Sequence, residues 1–177
     1  MKEIILDLKK VNLISVLFSV LILTFQILFY QQITSQSNVT LNLKTIGIIT
    51  LAFIGGIILH ELIHGICFAQ YAKKGFKAIK FGIIWKHFVI YCHCDEPLNV
   101  NPYRLSLIMP AVILGIIPSL IAYITHSFPL LFWSCLMLIG ALGDFICLWM
   151  MRSFNNSIEI MDHPNKIGFY YRVRENH

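Results

Sequence analysis

The sequence predicts an all-α integral membrane protein with four transmembrane helices and one short cytoplasmic β-hairpin between the second and third. Three observations carry that expectation. Of the 177 residues, 57% are hydrophobic and 13% charged, and the mean hydropathy is +0.72, well outside the composition of water-soluble domains. Four apolar runs each reach the roughly 20 helical residues that a hydrocarbon core requires. The basic residues gather beside those runs in the pattern that sets membrane orientation.

The first run, Val11 to Tyr30, follows Lys9 and Lys10. It is too long for the apolar core of a signal peptide, and Gln31 to Asn38 holds no small-x-small cleavage site, so it reads as a retained anchor. The second runs from Ile46 to Gln70. After it, Ala78 to Cys94 is rich in Ile, Phe, Val and Tyr and is interrupted by Trp85-Lys86-His87, which reads as two short strands in a hairpin. The third run is Tyr103 to His126 and the fourth Pro129 to Met151, leaving 152–177 as a short polar tail. The runs use so much of the chain that residues 1–177 are expected to form a single membrane-embedded domain.

With the N-terminus in the cytoplasm, the inner segments hold Lys2, Lys9, Lys10, Lys73, Lys74, Lys77, Lys80, Lys86, Arg104, Arg152, Lys166, Arg172 and Arg174, and Lys44 alone lies outside. That places both termini in the cytoplasm. The expected location is the plasma membrane of a bacterial cell, where the outward Asn38-Val39-Thr40 sequon would be inert. The net charge of +5 is then a matter of topology, and the bilayer rather than a nucleic acid is the expected partner. Cys67, Cys92, Cys94, Cys135 and Cys147 form no spaced framework, so structural disulfides are not expected.

The chemistry lies in the second run, at His60-Glu61-Leu62-Ile63-His64. Residues four apart on a helix share a face, so both imidazoles can hold one metal ion. Zn2+ suits neutral imidazole, and three protein ligands leave a position open for water and substrate. Glu61, beside the first ligand, can act as general base toward a water whose pKa zinc lowers to about 7, and can pass the proton to a leaving amine. Three ionisable residues within five positions of an apolar helix are costly in lipid and point to function.

Asp144 is the acid of the fourth run and the leading candidate for third ligand. It lies eight residues from Arg152, about 12 Å at helical rise, and the midpoint of the histidine pair lies eleven from Lys73, about 16 Å. Both runs end at the cytoplasmic face, so the two depths agree within one turn and the site belongs to the cytoplasmic leaflet. Gly140 and Gly143 allow close helix approach. Asp162 with His163, and His93 with Asp95, are the other candidates. Cys92-His93-Cys94 lacks the second pair of a structural zinc site and reads as an end-of-strand apolar pair. His87, His126 and His177 read as solvated histidines.

Leu59-His60-Glu61-Leu62-Ile63-His64-Gly65, Glu96-Pro97, Pro110, Gly143-Asp144, Asp162-His163-Pro164 and Gly168-Phe169 together resemble the putative zincin peptidase family of small membrane proteins, over roughly residues 50 to 170. The arrangement is also similar to the site-two group of intramembrane zinc proteases, although Ala141-Leu142-Gly143-Asp144-Phe145 departs from the Asn-Pro-Asp-Gly or Leu-Asp-Gly run usual there. The resemblance implies a zinc metalloendopeptidase acting on a membrane-embedded or membrane-proximal polypeptide, with His60, His64 and Asp144 as ligands and Glu61 as base.

The competing expectation is a non-catalytic, metal-stabilised membrane binding or scaffold protein. A transporter is disfavoured, because four short spans show no paired broken helices. A helical substrate must unwind before its carbonyls can be attacked, and an unpaired edge of the Ala78–Cys94 hairpin could take it as an added strand. A proline within Phe88 to Cys94 would then lower cleavage without loss of zinc.

Overall fold

The computed structural model describes residues 2–5, 8–34, 42–84, 89–163 and 168–173. The chain begins with strand β1 (Lys2–Ile5), followed by helix α1 (Leu8–Thr34) and helix α2 (Leu43–Tyr71). Asn42 caps α2, its side-chain oxygen accepting from the Thr45 amide at 2.8 Å, which satisfies one of the amides a helix start leaves unpaired. At the other end the chain turns through Gly75, whose φ of +56° suits glycine, into a single 3₁₀ turn at Gly75–Ala78.

Strands β2 (Ile79–Ile84) and β3 (Val89–Cys94) pair antiparallel from Ile79 opposite Cys94 to Ile84 opposite Val89. The expected hairpin is present, and its Trp85-Lys86-His87 turn lies outside the described residues. It lies flat on α2 because residue 65 is glycine: a Cβ there would stand 2.5 Å from the end of the Phe81 ring.

Strand β4 (Leu98–Asn99) leads into helix α3 (Val100–Pro110), a wide π turn at Ala111–Ile116, and helix α4 (Ile117–Thr125). The fourth apolar stretch is helix α5 (Phe128–Gly140) and helix α6 (Leu142–Met150), interrupted at Ala141. The Arg104 guanidinium donates to the carbonyls of Met151 and Phe154 just past α6, a cation at the negative end of a helix. Strands β5 (Ile158–Asp162) and β6 (Gly168–Val173) complete the chain.

Four helical stretches are therefore long and apolar enough to cross a membrane: Val11–Thr34, Leu43–Tyr71, Val100–Thr125 and Phe128–Met150. Helix α2 packs on α3 and α5, and α1 packs on α4, α5 and α6. A polar knot ties α1 to its neighbours: the Gln26 amide reaches Ser119 at 3.2 Å, Ser119 meets Ser134 at 2.9 Å, and the Tyr123 hydroxyl donates to Gln26. Such bonds hold helices together where burial of apolar surface gives little preference.

The fold is mostly helical but richer in strand than expected. Part of the stretch read as a polar tail, together with Lys2–Ile5 and Leu98–Asn99, forms a four-stranded antiparallel sheet in the order β1-β6-β5-β4. The physical reason is burial: Ile160 and Phe169 are almost fully covered and pack with Val100, Tyr103, Leu107 and Met151. The sheet thus forms the lid of a core that continues into α3.

Candidate metal centre

Helix α2 presents His60 and His64 one turn apart, and Asp144 lies in the first turn of α6. His60 Nε2 is 3.1 Å from Asp144 Oδ2, His64 Nε2 is 3.4 Å from the same oxygen, and the two Nε2 atoms are 3.1 Å apart. In a tetrahedral zinc site with bonds of about 2.0–2.1 Å, ligand atoms stand about 3.3–3.4 Å from one another. The three donors therefore fit one such ion. Among the described residues, they form the one group of three or more donor side chains close enough to share a metal.

The orientation of His64 follows from its second ring nitrogen. Nδ1 lies 2.9 Å from the Ser106 carbonyl oxygen. A carbonyl only accepts, so Nδ1 carries the proton and Nε2 turns its lone pair toward His60 and Asp144. A carbonyl acceptor behind the ring is the usual support of a metal-bound histidine. His64 is the most buried of the three, its side chain 6% exposed, whereas His60 and Asp144 keep 12% and 20%, so the cluster is not sealed from small molecules.

Glu61 lies next to the cluster, close to both imidazoles and to Asp144, with the Cys92 backbone nearby. Strand β3 thus stands beside the base candidate.

The other candidate ligands are engaged elsewhere. Asp162, at the end of β5, accepts from the Cys94 amide at 2.8 Å and from the Tyr103 hydroxyl, with His93 Nδ1 at 3.8 Å. Burial pushes its carboxyl above the usual range, against the Tyr103 and Cys94 donors, which favour the charged form. His93 Nε2 meets Asp95 at 2.8 Å, and Asp95 also pairs with Lys80. The Lys80 ammonium, ahead of His93, holds the Asp95 carboxyl low. His163 faces Glu3 at 2.9 Å and Tyr170 at 3.0 Å, joining β1 to the β5–β6 turn. His126 closes α4 in the left-handed region, while His87 and His177 lie outside the described residues.

Sequence reasoning missed the Ser106 carbonyl and the backbone of Cys92, because main-chain atoms carry no residue signature. The Ser106 acceptor left one trace: Pro110, four residues on, lacks the amide that would have occupied it.

Residues 53–158 match the model of a family described as putative zincin peptidase. No curated protein and no solved structure matches the chain. The matched stretch contains His60, Glu61, His64, Ser106 and Asp144 and spans more than half of the 177 residues, so the chain belongs to the putative zincin peptidase family.

Proposed function

We propose that the protein is an intramembrane zinc metalloendopeptidase of the site-two type, hydrolysing a peptide bond in a membrane-embedded or membrane-proximal polypeptide. In this reading the four apolar helices cross the bilayer, and the centre lies in the cytoplasmic leaflet. The outward faces support it: Phe25, Leu51, Ile124 and Trp149 each expose more than 60% of their surface, a pattern suited to lipid and costly in water. The observation that carries the proposal is the convergence of His60, His64 and Asp144 with Glu61 beside them.

His60, His64 and Asp144 would hold the ion. Zinc, when bound, supplies a Lewis acid that polarises the scissile carbonyl and acidifies a water to near-neutral pKa. The Glu61 carboxylate would take a proton from the attacking water and return it to the leaving nitrogen. The Cys92 backbone of β3 flanks that carboxylate, and the Ser106 carbonyl keeps His64 in the ligating tautomer.

The test is zinc content by mass spectrometry on purified protein, combined with cleavage of a fluorescently labelled casein in detergent. The unmodified chain is expected to hold about one zinc. His60→Ala with His64→Ala should lose it, and unchanged metal content there would overturn the site. Glu61→Gln should keep zinc and lose activity by about 100-fold or more. Full activity in that variant would favour a metal-stabilised binding protein instead.

A further inference from the structure

We infer that Pro110 is a positioning residue for the metal centre, acting through the Ser106 carbonyl on His64. The inference rests on the zinc reading above and adds a residue to it. In an α-helix the carbonyl of residue i accepts from the amide of residue i+4, so Ser106 would be bonded by residue 110. Residue 110 is a proline inside the helical stretch and has no amide hydrogen. The carbonyl so released points across to α2 and accepts from His64 Nδ1 at 2.9 Å.

Two further features fit this account. The backbone amide of Ala111, the next one along, turns to the Ile108 carbonyl, and the helix then widens into the π turn at Ala111–Ile116. Ser106 and Pro110 are both among the most deeply buried residues of the molecule. An unpaired carbonyl in so dry a place would be costly, so its pairing with His64 satisfies both elements at once. The helix that gives up a hydrogen bond at Pro110 thereby orients a ligand on its neighbour.

Pro118, in α4 of the same helical stretch, provides the control. It too lacks an amide hydrogen, but the carbonyls four and five residues before it belong to Leu114 and Ile113, outside the donor cluster. The experiment measures zinc affinity of the full-length protein in detergent by competition with a chromophoric chelator, in P110A and P118A. P110A restores an amide that competes for the Ser106 carbonyl, and zinc should bind about tenfold more weakly or worse, as when the outer support of a ligand is lost. P118A should remain within about twofold of the unmodified protein.

An affinity in P110A within that same twofold range would overturn the inference, and so would an equal loss in P118A, which would mean that any proline in the stretch matters. A second readout needs no metal. Ring-nitrogen NMR shifts of His64 in the zinc-free chain, recorded at a pH high enough that the ring is neutral, should report the Nδ1-protonated form in the unmodified protein and a mixture of tautomers in P110A. If the unmodified chain binds no zinc, the function proposed above fails, yet the tautomer shift still decides the role of Pro110: its absence overturns the inference.

Discussion

At the scale of single residues, the thiols of Cys92 and Cys94 show how environment selects among residues that could all ligate a metal. Burial pushes the Cys94 thiol up to about 11. Cys92 is also raised, by burial first and then by the Glu61 and Asp162 carboxylates nearby. The thiolate is the form that binds metal and reacts, and in a group titrating that high it is scarce at neutral pH, by about two orders of magnitude relative to a free cysteine. Both thiols should therefore alkylate slowly with iodoacetamide at pH 7.4, with Cys94 speeding up about tenfold per pH unit until its own pKa is approached. Peptide mass mapping checks this, and alkylation at the rate of a free cysteine would contradict it.

At the scale of elements, strand β3 explains how the hairpin serves the site. The Asp95 amide donates to the Ala78 carbonyl at 2.9 Å, so by the alternation of an antiparallel pair Cys94, Cys92 and Ile90 turn their amides away from β2. Asp162 takes the Cys94 amide at 2.8 Å, and Glu61 lies beside the backbone of Cys92. Two carboxylates, from α2 and from β5, thus cover part of the edge where an added substrate strand was expected. Prolines at Cys92 or Cys94 would disturb these internal contacts as well as any substrate contact. Ile90→Pro is the cleaner variant: if substrate pairs with this edge, it should cut casein cleavage about tenfold or more with zinc content unchanged. Unchanged cleavage by the folded, zinc-loaded variant would assign the hairpin to shielding alone.

The hairpin itself was legible in the sequence, since β-branched and aromatic residues cluster between Ala78 and Cys94. The histidine pair was legible from its four-residue spacing, and the proximity of Asp144 from counting helical rise inward from Arg152 and Lys73. The sheet β1-β6-β5-β4 was not, because β1 pairs with residues more than 160 positions away, and local periodicity says nothing about so distant a partner. Asp162 stayed ambiguous for the same reason: its donors, Tyr103 and Cys94, come from elements that only the fold places beside it.

At the scale of the whole molecule, the four-stranded sheet bears on orientation independently of charge. Lys2–Ile5 pairs with Gly168–Val173, Leu98–Asn99 pairs with Ile158–Asp162, and Cys94 is bonded to Asp162. Both ends of the chain and the α2–α3 connection therefore meet at one end of the helices, which requires an even number of crossings if those helices span a bilayer. The same end carries Lys2, Lys73, Lys74, Lys77, Lys80, Arg104, Arg152 and Arg172, and Lys44 stands near the start of α2 at the other. Basic flanks are retained in the cytoplasm, so the sheet and the nearby metal centre should face inward. Single cysteines introduced into a cysteine-free background, as Lys2→Cys, Ser157→Cys and Ser127→Cys, test this with a membrane-impermeant maleimide on intact cells. Ser127→Cys should label from outside, and the other two only after permeabilisation. External labelling of both Lys2→Cys and Ser157→Cys would reverse the orientation while leaving the fold intact. Labelling of one without the other would contradict the pairing of β1 with β6 across the bundle end, and with it the arrangement that brings Asp162 to the hairpin edge.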